Sequence, residues 1–347
     1  MKTQAAILSE LKKPLLVAEL EIPAVRPGQV LVELHYSGIC RSQIGEWLGY
    51  RGPDRYLPHL LGHEGSGIVL ETGAGVSKVK ADDKVALSWI KGLGAEVPSS
   101  IYQWGERSVN AGAVTSFATK ALISENRLVR LPEGLSLRTA AALGCAVLTG
   151  AGMVTNVAKM KSGATVAVIG AGGIGLSAVM MAKARGATQI IVVDRHDSKL
   201  HRASKLGASD IIDSRKEDPL VRIKELTNGQ GVDYCFEAAG NIPAMQLAFE
   251  MLRAPGGICV LSGNPPKEEL LSINPYGLMA GKILMGTSGG ASNPDIDIPS
   301  IVELHLNDKL DLDALLTDEF QLEDINLAFA QHLAGDIGRG VLCLKQN

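Results

Sequence analysis

The chain has 347 residues, more than one hydrophobic core usually holds, so two domains are expected. Hydrophobic residues make up 46% and charged residues 20%, and a formal net charge of -3 gives no electrostatic basis for binding nucleic acid. Met1 to Glu10 hold no apolar signal region, and no later stretch of about 18 apolar residues is free of breakers or charges, so the expectation is a cytoplasmic protein with small-molecule partners and no membrane segment.

From Thr3 to about Gly144, short β-like runs such as VLVELHYSGI and SGIVLET alternate with turns such as RPGQ and TGAGV, which predicts an irregular β-rich domain. From Thr149 the texture changes. TGAGMVTNVAKM reads as a helix, TVAVIG as a buried strand, GLSAVMMAKARGA as a helix and QIIVVD as a strand. The alternation continues through SKLHRASKLGAS, DIID, VRIKELTN, VDYCFEAAG, IPAMQLAFEMLR and GGICVLSG to a last strand, KILMGTS, at 282–288. That is the pattern of an α/β doubly wound parallel sheet. IPSIVELHLNDKLD and LEDINLAFAQHLAGD then read as helices, and GRGVLCLKQ as a strand returning to the first domain. The expected boundaries are 1–148 with 289–347 for the β-rich domain and 149–288 for the α/β domain.

The strand TVAVIG runs directly into Gly170-Ala171-Gly172-Gly173-Ile174-Gly175 and then a helix, the context that a dinucleotide fingerprint requires. Gly170 permits the tight turn, Gly172 lets backbone approach a pyrophosphate, and Gly175 lets the helix pack closely, while amides at the helix start face the phosphates. Gly173 and Ile174 complete the turn. QIIVVD ends at Asp194, close to the spacing of about 20 residues expected for the acid that binds the adenosine ribose. A carboxylate there accepts from ribose hydroxyls and repels a 2′-phosphate, so NAD is favoured over NADP. Arg195, next in the chain, is the residue that could instead accept a phosphate, and Lys199 either reaches the ribose or is a solvated helix lysine.

Five cysteines form no regular disulfide framework. Cys235, Cys259 and Cys343 lie in apolar runs and read as small buried hydrophobes. Cys40 in HYSGICRSQIG, His63 and Glu64 in LLGHEGSGIV, and Cys145 in AALGCAVLTG are each unremarkable alone. Together, ahead of a dinucleotide fingerprint, they resemble the catalytic zinc site of the zinc-dependent medium-chain alcohol and polyol dehydrogenases. The resemblance runs from a GroES-like β domain through a Rossmann domain to the C-terminal strand. It implies Cys40, His63 and Cys145 as zinc ligands, Glu64 as a nearby carboxylate that exchanges onto the metal, and Ser42 as the hydroxyl that takes the substrate proton. It also implies Arg41 and Arg339 beside cofactor phosphates, Thr149 at the nicotinamide and Trp89 facing a small alcohol or carbonyl substrate. Two thiolates and an imidazole suit zinc and leave one position open for a substrate oxygen.

Three departures stand out. No cysteine lies between Cys40 and Cys145, so SWIKGLGAEVPSSIYQWGERSVNAG reads as a shortened lobe without structural zinc, and one catalytic zinc per chain is expected. Gln43 stands where the family usually has an aspartate that orients the histidine ligand. Gly45 stands where some relatives place a relay histidine. The competing functions are a zinc-free quinone or enone reductase, whose members usually lack the Cys, GHE and Cys set, and a non-catalytic dinucleotide-binding protein. The apolar strand KILMGTS at the end of the Rossmann domain predicts a homodimer or homotetramer.

Overall fold

The computed structural model describes residues 1–335 and 337–345. It divides into two compact units, Met1–Cys145 with Asn293–Leu306 and Leu316–Asn347, and Ala146–Ser292 with Asn307–Leu315. The segment Asn307–Leu315 departs from the sequence expectation, which placed it with the β-rich domain. Leu310, Leu312 and Leu315 are buried, and the turn Asp313–Leu315 packs on the helix Gly173–Ala184, which draws the segment to the second unit.

In the first unit, strands Lys2–Leu8, Leu16–Glu21, Ile101–Trp104, Arg107–Asn110 and His59–Leu60 close a barrel. The hairpin Ile101–Trp104 with Arg107–Asn110 is built from the shortened lobe. A second sheet runs in the order Leu128–Arg130, Lys84–Ser88, Glu64–Thr72, Gln29–Gly38, Arg339–Cys343, Leu316–Gln321, with Lys120–Ser124 also paired to Gln29–Gly38. The strand Leu316–Gln321 has no counterpart among the sequence expectations. Its inward residues Leu316 and Phe320 are separated by the polar run Thr317-Asp318-Glu319, which hides the alternation. Leu34, Ile39, Ile44, Phe117 and Phe329 lie in this unit's core.

The second unit carries a parallel sheet in the order Asp210–Asp213, Gln189–Asp194, Thr165–Ile169, Tyr234–Glu237, Ile258–Leu261, Ile283–Gly286. Val166, Val168 and Val192 are buried on one face and Ala167, Ile169 and Val193 on the other, which is why these strands read as continuous apolar runs. Fully buried Cys235 and Cys259 pack within it, and burial pushes both thiols up, as inert core cysteines require. Cys343, by contrast, is only half-buried. The segments expected as the last helix and last strand appear as Ile325–Ala334 and Arg339–Cys343; their terminal residues Asp336 and Gln346 lie outside the described residues. Among the described residues no helix is long and apolar enough to cross a membrane.

Candidate active site

Three separate pieces of the first unit bring the thiol and imidazole groups together. Cys40 follows the strand Gln29–Gly38 and precedes the helix Arg41–Trp47, His63 precedes the strand Glu64–Thr72, and Cys145 lies in the π-helical turn Leu143–Val147. Their ligand atoms lie within 4.8 Å of one another. A zinc tetrahedron with bonds of about 2.0–2.3 Å sets ligand separations of about 3.3–3.8 Å, so small side-chain movements close the set around a metal. His63 Nε2 is buried without a hydrogen-bond partner, an orphan that a metal would satisfy. The Cys145 thiol beside it, then His63 and Arg339, hold the Cys40 thiol well below its ordinary value despite complete burial. The residues present therefore fit zinc.

The approach of Cys145 depends on its neighbour. A Cβ at Gly144 would stand 1.8 Å from the Leu87 carbonyl oxygen, so only glycine lets this turn meet the strand Lys84–Ser88, where Ser88 Oγ donates to the Gly144 carbonyl at 2.7 Å. Ser42 Oγ donates to Cys40 Sγ at 3.2 Å, which places its hydroxyl beside the ligand set. Gln43 is buried, and its Oε1 accepts from the Cys40 amide at 3.0 Å while Nε2 has no partner. Gln43 is a neutral amide whose Oε1 is turned to the Cys40 amide, so it does not supply the carboxylate that usually orients a ligating histidine. A Cβ at Gly45 would lie 3.2 Å from Tyr50 Cδ2, so the aromatic ring borders the place of a relay residue. Half-buried Trp89 follows Lys84–Ser88 with its indole Nε1 buried and unpaired, and Arg41 is exposed at its helix start.

Glu64 is fully buried and forms an ion pair with buried Arg339. The two residues come from strands on either side of Gln29–Gly38, and Gly38 makes the meeting possible: a Cβ there would stand 2.7 Å from Glu64 Oε1 and 3.0 Å from Arg339 Nη2. Sequence reasoning placed Glu64 near the metal and Arg339 near a phosphate, but not against each other. The glycine pairing that links them is a contact across three strands and leaves no local signal. Glu46, Asp54 and His59 form a second polar group, with His59 Nε2 2.8 Å from Asp54 Oδ2 and 3.9 Å from Glu46 Oε1.

In the second unit, Gly170 ends the strand Thr165–Ile169 at φ +95°, and a Cβ on it would meet the Ala239 amide at 2.8 Å. A Cβ at Gly175 would stand 1.8 Å from the Gly170 carbonyl oxygen, the close helix–strand contact that the third fingerprint glycine serves. At Gly172 the corresponding space is open, and no side chain caps the helix Gly173–Ala184. An anion therefore has room against backbone N–H groups, including those of Gly173 and Ile174, which fits a dinucleotide pyrophosphate. Asp194 stands at the end of Gln189–Asp194, its Oδ2 accepting from the Ala171 amide at 2.8 Å. Arg195 and Lys199 follow it, and Thr149 is buried in the helix Leu148–Gly152. Glu237, which the sequence reading passed over, is fully buried and accepts from the amides of Ala239, Gly240 and Gly263 at 2.8, 2.6 and 3.3 Å. Burial pushes its carboxyl up, while those amides oppose the shift and tie two loops to the fingerprint edge of the sheet.

Comparisons with known proteins agree with this geometry. Residues 26–133 match the family model described as alcohol dehydrogenase GroES-like domain, and residues 173–304 match zinc-binding dehydrogenase. An S-(hydroxymethyl)glutathione dehydrogenase from Synechocystis is 30% identical over 355 residues, covering 95% of this chain and 96% of its own. Among solved structures, an alcohol dehydrogenase zinc-binding domain protein from Burkholderia ambifaria superposes with a TM-score of 0.91 at 30% identity, covering 100% of both chains. Benzyl alcohol dehydrogenase from Acinetobacter calcoaceticus gives a TM-score of 0.90 at 27% identity, covering 99% of this chain and 100% of that one. With the assembled Cys, His and Cys set and the dinucleotide fingerprint, these matches make the chain a member of the zinc-dependent medium-chain dehydrogenase family, an oxidoreductase of the alcohol dehydrogenase type.

Proposed function

We propose that this chain interconverts a small alcohol or polyol and its aldehyde or ketone, using NAD in preference to NADP and one catalytic zinc per chain, without a structural zinc. The observation that carries the reading is the convergence of Cys40, His63 and Cys145 within 4.8 Å in a chain that also bears the fingerprint leading to Asp194. Those three residues would hold the metal, which when bound supplies a Lewis acid with an open coordination position. Ser42 Oγ takes the proton of the substrate hydroxyl. Trp89 lines the substrate position, and Glu64, next to His63 in the chain, is the carboxylate that exchanges onto the metal, its charge balanced by Arg339. Thr149, Arg195 and Lys199 are proposed, with the fingerprint glycines, to hold the dinucleotide, and Arg41 and Arg339 to neutralise cofactor phosphates. Five free cysteines accord with a reducing compartment, here the cytoplasm.

A screen of simple, aromatic and polyhydric alcohols with NAD and with NADP, followed by nicotinamide absorbance, tests the reading. Turnover with higher kcat/KM for NAD is expected, and equal use of both cofactors would remove the assigned role of Asp194. Ser42→Ala should slow alcohol oxidation by about 10²–10⁴-fold, the range for a positioned proton acceptor, with bound zinc unchanged. An unchanged rate would take Ser42 out of the mechanism. Gly45 offers no imidazole to carry the proton onward, so the pH dependence of turnover should show no relay histidine at this position.

The assembly proposed is a homodimer or a dimer of dimers. The strand Ile283–Gly286 lies at the open edge of the parallel sheet with Ile283 and Met285 exposed, and Tyr276 and Met279 are exposed on the short helix before it. An uncovered apolar edge favours pairing with a second copy about a twofold axis. Light scattering at micromolar concentration should give twice or four times the chain mass, and a monomer would contradict the proposal.

A further inference from the structure

Asp194 is more heavily engaged than a free ribose-binding acid. Its Oδ1 accepts from the backbone amides of Arg195 at 2.7 Å and His196 at 3.0 Å, and it faces His196 Nδ1 at 2.9 Å, while Oδ2 accepts from Ala171. An ionised carboxylate only accepts hydrogen bonds, so Nδ1 must carry a proton, and Nε2 is the ring nitrogen left to gain or lose one. The Asp194 side chain is 10% exposed and that of His196 24%, so the carboxylate is largely shielded while the ring reaches solvent.

We propose that His196 is a specificity-determining residue: by gaining or losing a proton at Nε2 it sets the charge presented at Asp194, and hence how strongly the site discriminates against NADP. This rests on the dinucleotide reading given above. The neighbouring charges leave the pair in control. Asp197 on the following helix and Asp213 on the adjacent strand are paired with Arg215 and Lys216, with Arg215 2.8 Å from Asp213 and 3.6 Å from Asp197, and Lys216 3.0 Å from each carboxylate. Two anions and two cations there balance one another. Arg195 and Lys199, close by in the chain, add two cationic side chains. With His196 neutral, Asp194 presents a net negative charge that accepts from a ribose diol and repels a 2′-phosphate. With His196 protonated, the pair is neutral overall, and the repulsion of a 2′-phosphate by Asp194 is lifted. Discrimination against NADP is therefore weaker with the ring protonated than with it neutral.

The 2′-phosphate of NADP itself takes up a proton near about pH 6, as phosphate monoesters do, so wild type alone does not isolate the imidazole. His196→Asn keeps an N–H donor where Nδ1 stood and cannot gain a charge, and His196→Ala removes donor and charge together. Calorimetric titration of NAD and NADP at about pH 5.5 and about pH 8.5, spanning the range in which imidazole side chains change charge, gives the ratio of their dissociation constants in each protein. Between these pH values the wild-type ratio should fall about tenfold more than in either variant, the change that one pKa unit of interaction produces. An equal change in wild type and both variants would overturn the role of His196 while leaving the dinucleotide site intact. Binding of neither dinucleotide at either pH would overturn the site reading, and the inference with it.

Discussion

Cys145→Ala is expected to empty the metal site and suppress turnover while the fold largely survives. The thiol is buried, but the turn that carries it is held to the neighbouring strand by Ser88 Oγ donating to the Gly144 carbonyl and by the absence of a side chain at Gly144. Removing one small sulfur leaves those contacts in place. What is lost is one of three ligands, and two do not define a closed catalytic zinc site. Elemental analysis should fall from about one zinc per chain to a small fraction, following the single open site. The kcat should drop by more than the roughly 10–100-fold that loss of an outer-shell partner typically brings. Circular dichroism should be little changed. Retention of both metal and activity would mean that Cys145 is a packing residue.

The largest effect on stability is expected at the Glu64–Arg339 pair. Both side chains are buried, and they meet over Gly38 between two neighbouring strands. Arg339→Met would leave a carboxylate inside the protein without its cation, a change that typically lowers stability by about 3–5 kcal/mol. Denaturant unfolding followed by intrinsic fluorescence should report it as a lowered midpoint. Replacing both partners, Glu64→Gln with Arg339→Met, removes the stranded charge and should restore part of the loss, so the two changes should couple strongly. An additive double variant would show that the pair does not act as a unit.

How much was readable in the sequence depended on the range of the interaction. The fingerprint Gly170 to Gly175 and Asp194 lie in adjacent elements, and Gly175 acts on the Gly170 carbonyl only five residues away, so chain order alone exposes the motif. The ligand set is spread over Cys40, His63 and Cys145, and nothing local marks any of them; their meeting was legible only through resemblance to a family. Gly38 and Gly144 act by what they lack, making room for Glu64 with Arg339 and for Cys145 respectively, and such contacts across strands carry no periodic signal. Gln43 was recognised as a departure, yet the engagement of its carbonyl by the Cys40 amide needed coordinates. The strand Leu316–Gln321 escaped notice because only Leu316 and Phe320 mark its buried side. His196 carries no sequence signal of its own: the turn after the strand folds its imidazole back onto Asp194, a contact that only coordinates give.

The central claim is that zinc held by Cys40, His63 and Cys145 is what makes this chain an NAD-linked alcohol oxidoreductase. The most direct measurement strips the protein with a chelator, titrates zinc back, and follows bound zinc and NAD reduction in the same samples with an alcohol chosen from the substrate screen. The account predicts that activity disappears on stripping and returns in proportion to zinc, reaching a plateau at about one equivalent per chain, as a single catalytic site requires. Full activity in the stripped protein, or a plateau only at two tightly held equivalents, would contradict it.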